Sequence, residues 1–431
     1  MNIHKRFIKK LLIATVSLLL IGTVTAVLFL QTNYGKELTL KGRQYVHINL
    51  HKNWGVRLKI LQSVDFLLNL IPKPSLIPYD RAASGVGFDK NKTIDQHSIK
   101  AMSLLASHFY SVQSAEELRT AMLKAQKGDV ILLAPGQYSI LKRLEVRHHG
   151  TRQQPIRLLS SVPGSSVLKI QNTEGIYLNK NNWRIENIVF KGDCGEQRYC
   201  EHAIHMYGNA DHTQLINNQF INFNAALKAN GNYRNTPATF ADNVLVQYND
   251  FYNQSYRKTR SPATPIDVVG GNSWRVDNNF IADFARKSTG KISVTYGGFM
   301  KGGGSGGVFS NNVVNCAWHL PYQSNLDVRV GLSFGNGGTQ KQFCQNNDCH
   351  YEHSGGKIVN NLVLNCINDV SIYLNKAAAT DITGNTLLNS MGIDARFKQT
   401  SAKINNNKIQ GRIKARDEAF LSERNNVIIT E

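Results

Sequence analysis

Eight times between residues 183 and 409 the chain repeats one short phrase: an alternating apolar run, an Asn, then a second apolar run. It reads WRIENIVF (183–190), TQLINNQFI (213–221), VLVQYNDFY (244–252), SWRVDNNFI (273–281), GVFSNNVV (307–314), GKIVNNLVL (356–364), TDITGNTLL (380–388) and AKINNNKI (402–409). The shared asparagines are Asn187, Asn218, Asn249, Asn279, Asn312, Asn361, Asn385 and Asn407, at steps of 22 to 33 residues with one step of 49. A recurrence on this scale means a stacked architecture in which each unit buries its apolar face against the next. Short β-rich segments with Asn or Gly at their corners make the unit a strand coil rather than a helix pair. The fold class expected is therefore all-β, a single right-handed parallel β-helix. Asn suits the corner because it tolerates left-handed backbone, and stacked amides can hydrogen-bond from rung to rung. The 49-residue step predicts a loop bulging from one rung over 335–355.

Three segments are expected. Residues 1–30 carry Lys5, Arg6, Lys9 and Lys10 ahead of an uncharged stretch from Leu11 to Leu30. This is either a membrane anchor, with the remainder exported, or a cleaved signal peptide. Residues 31–110 form a juxtamembrane extension in which Trp54 to Ile71 reads as an amphipathic helix. Residues 111–431 form the β-helix, opened by a capping helix that Ser114 and Glu117 start as a capping box. Six cysteines fit an oxidising compartment, whether periplasmic, at the cell surface or secreted, and Cys194/Cys200 and Cys344/Cys349 each bracket a short loop as a local disulfide. A net charge of +20 suits a polyanionic partner. No nucleic-acid motif or clustered basic run accompanies it, so acidic polysaccharide is the partner expected, with membrane contact if residues 1–30 are retained and with the chain a monomer.

The phrase SAEELRTAMLKAQKGDVILLAPGQY (114–138), with Gly128, Asp129, Gly136 and Tyr138, resembles the capped start of pectate-lyase-like β-helices. It is most similar to the chondroitinase-B/alginate-lyase type, over roughly residues 110–420. The resemblance implies cleavage of a uronate polysaccharide by β-elimination, and some exported proteins of this kind look like biofilm-matrix lyases. It also implies a Lys base and an Arg acid on neighbouring coils. The matching positions are Lys301, in Phe299-Met300-Lys301-Gly302 ahead of VFSNNVVNC, and Arg329 on the next coil. Calcium-binding members carry two Glu just before the Lys. Here those positions are Val294 and Tyr296, so no cofactor is required and calcium remains an option only without that pair.

Alternation selects the residues that leave the core. Asp327, Arg329 and Ser333 should face solvent, as should His205, Tyr207, Asp267, Tyr373, Asn375, Asp394 and Arg396. Counted back from each ladder Asn, His205, Asp267, Lys301, Tyr373, Asp394 and Arg396 fall 11 to 13 residues before it, which places them on one sheet face where a polymer could lie. His205, Tyr207, Asp267, Tyr373, Asn375, Lys376, Asp394 and Arg396 are thus candidate substrate-binding residues. Arg suits a carboxylate because its fork is bidentate, and Lys is a base only when burial or a like charge lowers its pKa. Gly302, Gly303 and Gly304 beside Lys301 are expected to let substrate approach. His350, Glu352 and His353 read as an exposed polar trio, not a metal site. Four readings of function stand: the lyase, a glycoside hydrolase using outward aspartates, a uronate C5-epimerase, or a solenoid that only binds polysaccharide.

Overall fold

The computed structural model describes Thr25 and residues 75–429, apart from residues 236, 290–291, 325 and 337. The basic apolar segment 1–30 and the helix expected over 54–71 lie outside the described residues, Thr25 aside, and among the described residues no helix is long and apolar enough to cross a membrane. From Leu76 onward the chain is one compact unit.

Nearly every strand pairs in parallel, in sheets of twelve, eleven and ten strands among the described residues, with a small sheet of three. Each coil gives one strand to each large sheet in turn. Gln214–Ile216, Gln219–Ile221 and Leu227–Asn230 form one coil, and Leu245–Gln247, Asp250–Tyr252 and Ile266–Val269 form the next. The pairing is coil on coil without a slip between these two: Leu215 sits on Val246, Phe220 on Phe251 and Leu227 on Ile266. This is a right-handed parallel β-helix, the hand that parallel crossovers adopt. Its bore is filled by aliphatic and aromatic side chains, including the stack Phe190, Phe220 and Phe251, whose ring centroids lie 5.0 and 4.7 Å apart.

The corner between the twelve- and eleven-stranded sheets divides two duties between adjacent residues. One residue takes the left-handed conformation: Asn187, Asn217, Tyr248, Asn278, Asn311, Asn360 and Asn406 all have φ between 54° and 64°. The next residue carries the amide ladder. Asn218 donates both its backbone N–H and its Nδ2 to Asn249 Oδ1, at 2.8 and 3.1 Å. Asn249, Asn279, Asn312, Asn361 and Asn385 repeat this, and Asn407 extends it to Asn426. Asn187 is therefore not a ladder residue. Ile188 stands in that register and donates its N–H to Asn218 Oδ1 (3.0 Å).

Helix α1 (Gln96–Leu105) precedes helix α2 (Ala115–Lys124), which covers the first coil with Leu118, Ala121 and Met122. Ser114 Oγ accepts the Glu117 N–H at 3.2 Å, as a capping box requires, while the Glu117 carboxylate reaches one residue further back, to the Gln113 N–H. Ahead of the helices, residues 76–94 run as a strap along the solenoid. Ile77 pairs its backbone with the Asn365 amide, Tyr79 stacks on Phe280, Arg81 pairs with buried Asp250, Asp89 bonds Asn217, and Ile94 reaches Ser161.

Candidate functional site

The ten-stranded sheet carries most of the candidate residues on its outer face. Pairing sets Tyr177, His205, Lys228, Asp267, Phe299, Ser333, Tyr373 and Asp394 in one column, one residue per strand. Two residues further along the strands, Tyr207 pairs with Asn230, Val269 with Lys301, and Asn375 with Arg396. The inward neighbours Ile204, Met206, Ile266, Val268, Ile372, Leu374, Ile393 and Ala395 are all buried, so alternation holds on these strands.

Lys301 ends the strand Ser293–Lys301. Its Nζ donates to Asn336 Oδ1 (3.1 Å) and lies 4.8 Å from the Phe299 ring centre. Burial pulls its pKa below the ordinary lysine value, and nearby Lys228 pulls the same way against Asp267 and Glu352. Lys228 pairs with Asp267 at 2.8 Å, both about one-fifth exposed. On the next strand His205 is clasped from both sides: Nδ1 lies 2.8 Å from Glu174 Oε1 and Nε2 2.7 Å from Asn230 Oδ1. That hydrogen bond, more than any other contact, holds the Glu174 carboxyl down at about 2. Tyr207 donates to Asn232 (3.2 Å) and packs edge-on to His205.

The bulging loop over 335–355 frames Lys301. Gly302 N–H donates to Glu352 Oε2 (3.0 Å), Gly303 N–H to the Glu352 carbonyl (2.9 Å) and Gln345 N–H to the Gly302 carbonyl (3.0 Å). The glycines beside Lys301 thus admit the chain's own loop rather than a substrate: a Cβ on Gly303, at φ +82°, would lie 3.3 Å from the Gln345 nitrogen. Glu352 and His353 are buried here, not exposed, and only His350 of the trio faces solvent.

Arg329 is placed differently from the sequence expectation. It is fully buried, and so are Asp327 and Ser333. All five guanidinium protons are spent: on both Asp327 oxygens and on the carbonyls of Cys316, Leu320 and Pro321, at 2.6 to 3.1 Å. Tyr322 lies under its plane at 4.3 Å. Alternation fails on this strand because Gly331 packs so close to the Ser371 carbonyl that a Cβ would meet it at 2.3 Å. Val330 consequently leaves the bore and joins Tyr296, Phe299 and Val370 in a separate apolar cluster. That cluster also occupies the place where the calcium-binding pattern needs carboxylates. Val294 packs against it and Tyr296 belongs to it, so these residues do not fit a calcium ion.

The remaining expected residues divide in two. Tyr373 lies on the face beside Phe299, with its hydroxyl accepting from Asn375 Nδ2 (2.8 Å), and Asn375 is itself buried. Asp394 pairs with Arg416, Arg396 with Asp417, and Lys376 leans towards Phe397 at 6.0 Å, forming a charged patch at the C-terminal end of the face. The outward aspartates do not make a hydrolytic pair. Asp267 and Asp394 stand four strands apart, about 19 Å at a spacing of ~4.8 Å, against the roughly 5–9.5 Å a glycosidase pair needs, and Asp327 is buried. Lys228, Glu174 and Asn230 were absent from the sequence expectation. Lys228 follows the same in–out alternation but lies 21 residues before Asn249, because the segment 231–243 lengthens its coil. Both expected disulfides are present, Cys194–Cys200 and Cys344–Cys349, and Cys316–Cys366 joins successive rungs as a third.

A parallel β-helix with an outer sheet face of basic and aromatic side chains, and a part-buried lysine among them, suits the binding of an acidic polymer. The family model for chondroitinase B matches residues 112–415, and the chain belongs to that family. Among solved structures it is similar to an alginate lyase from Paenibacillus sp. str. FPU-7, with 14% identity and a TM-score of 0.46 over 74% of this chain and 100% of the other. It is also similar to a mannuronic acid specific polysaccharide family 6 lyase from human gut microbiota (13%, TM-score 0.40, 74% and 82%) and to a pectate lyase (13%, TM-score 0.40, 74% and 78%). No curated protein matches the sequence. The family makes the chain an enzyme, a polysaccharide lyase, which sets aside the hydrolytic and the purely binding readings.

Proposed function

We propose that the chain is an exported lyase that cleaves a uronate-containing exopolysaccharide, such as a biofilm-matrix polymer, by β-elimination with Lys301 as the base. The observation that carries this is Lys301 itself: an amine on the outer face whose pKa is drawn down by burial, one strand from the Lys228–Asp267 pair. Its neutral form takes the C5 proton, and the electron pair left behind forms the C4–C5 double bond as the C4–O bond breaks. Lys228, two strands to one side, is the cation for the uronate carboxylate. Tyr373, two strands to the other side, gives the departing oxygen its proton. Burial keeps that phenol protonated, and it recovers a proton from solvent. Arg329 has no proton free for either role. Three disulfides fit the oxidising compartment where such a polymer is met.

The test is to incubate the full chain with a panel of acidic polysaccharides, including the host's own matrix polymer, and to follow the ultraviolet absorbance of unsaturated uronate. Lys301→Ala should lower the rate by about 10²–10⁴-fold and Tyr373→Phe by a smaller factor. New reducing ends without that absorbance, or an undiminished Lys301→Ala rate, would sink the assignment.

A further inference from the structure

The strand that ends in Lys301 is nine residues long, so its two ends lie roughly 26 Å apart at ~3.3 Å per residue. Towards its other end opens a cavity of about 700 Å³. Three loops from different coils wall it, ahead of strands His202–Tyr207, Ile266–Val269 and Ser293–Lys301. They contribute Arg198, Lys258, Arg260 and Lys287, the half-exposed ring of Tyr199 and the carboxyl of Glu201, and four serine and threonine side chains complete the lining.

Its charge is unbalanced. Among the described residues Arg198 pairs only with its exposed neighbour Glu196 (3.0 Å). Lys258, Arg260 and Lys287 have no carboxylate partner among the described residues. Glu201 is the one acid in the lining, and burial pushes its carboxyl above the usual range. The walls are fixed without these cations. Gln197 ties the disulfide-closed loop to the second one, its Oε1 accepting the Lys258 N–H (2.8 Å) and its carbonyl accepting from buried Arg257 (3.1 Å). Arg286 ties the second loop to the third, donating to the carbonyls of Arg260 (2.7 Å) and Ser261 (3.1 Å) and to Ser293 Oγ (2.9 Å). Two arginines are thus spent on construction, while the exposed cations Lys258, Arg260 and Lys287 line the space beside Arg198. Solvent screens their mutual repulsion, and an anionic ligand would relieve what remains of it.

We propose that this cavity is a second binding site, for an anionic substituent or side branch of the polysaccharide, which holds the polymer and takes no part in the elimination. The proposal rests on the substrate being an acidic polysaccharide. The cavity is too far from Lys301 to touch the sugar being cleaved. Its Glu201 stands four residues before the column residue His205, roughly 13 Å at ~3.3 Å per residue, so a branch or substituent of a chain lying on that column reaches towards the cavity while the cleaved bond does not.

Two probes test this on the full chain: an alginate oligomer, which carries only carboxylates, and a dextran sulfate oligomer, which carries only sulfates. Calorimetric affinities are compared for wild type, for Lys258→Ser/Arg260→Ser/Lys287→Ser, and for the charge-matched control Lys357→Ser/Lys403→Ser/Lys408→Ser, whose lysines are exposed on the other two sheets. Loss of the cavity cations should weaken at least one probe by about ten-fold or more, with the control changed by less than about three-fold. The probe that is lost names the anion. Equal loss in the two triple variants, or none in the cavity variant, overturns the site. If wild type binds but forms no unsaturated product from any polymer, the lyase assignment fails and the cavity stands. If the cavity variant binds and turns over normally, the cavity fails and the lyase stands.

Discussion

Arg329 and Lys301 are both cations on adjacent strands, yet their surroundings give them opposite work. Every Arg329 donor is matched by a protein acceptor, so its charge is offset inside the molecule. Breaking such a buried pair from one side strands Asp327, at a cost of about 3–5 kcal/mol. Arg329→Ala should therefore lower the melting temperature strongly and leave kcat of the surviving folded fraction near wild type. A folded Arg329→Ala protein without activity would restore a catalytic role to it. The two residues also show what sequence can reveal at this scale. Lys301 was legible through the resemblance carried by Phe299-Met300-Lys301-Gly302 ahead of VFSNNVVNC, although its strand breaks alternation between Tyr296 and Phe299, which share one outer cluster. Arg329 looked equally outward, but a close approach at Gly331 broke the alternation, and such an approach is a property of the neighbouring coil. Asn187 misled for a related reason. In WRIENIVF a single Asn fills the left-handed position, whereas in TQLINNQFI two asparagines share the corner, and only the stacking shows which one belongs to the ladder.

At the scale of elements, the loop over 335–355 acts on the proposed base, Lys301, as well as on the backbone. Glu352 holds the Gly302 N–H and the Thr339 hydroxyl, and its charge favours the protonated form of Lys301. Glu352→Gln keeps an acceptor and removes that charge. Lys301 should then lose its proton at lower pH, and the acid limb of the kcat/KM profile should move to lower pH. An unmoved limb, with activity intact, would mean that Lys301 is not the titrating base. The sequence announced this loop through its 49-residue step, but nothing in its composition said that it would fold back on Lys301. The segment 231–243 did more harm to the reading, because it displaced Lys228 from the common offset and hid a cation that the strand pairing makes obvious.

At the scale of the whole molecule, three groups make acid a destabilising direction, against the buried carboxyls of Asp250 and Asp283, which burial pushes up. Burial lowers His202 to about 4 and His353 to about 3. Unfolding lets both imidazoles bind protons at their ordinary pKa of about 6.5. Their neutral burial is thus no handicap above about pH 6.5, and stability falls as pH drops from there towards 4 and 3. Glu174, held at about 2, adds a loss in the same direction from about pH 4.5 downward. Melting temperatures should fall steadily from pH 7 to pH 4, and replacing His353 by Leu should flatten part of that slope. A melting temperature that rises on acidification would contradict this account.

The strap over 76–94 sets a schedule for biosynthesis. Its first anchor joins Ile77 to Asn365, 288 positions later in the chain. At roughly 5–20 residues per second a ribosome needs on the order of 15–60 s to supply that partner. The strap therefore seats from its far end backwards: Ile94 finds Ser161, then Asp89 finds Asn217 and Arg81 finds Asp250, then Tyr79 finds Phe280, and Ile77 waits longest, for Asn365. Whatever escorts the nascent chain must shield this leading edge longest of all, because the segment made first is the one whose final partner is made latest.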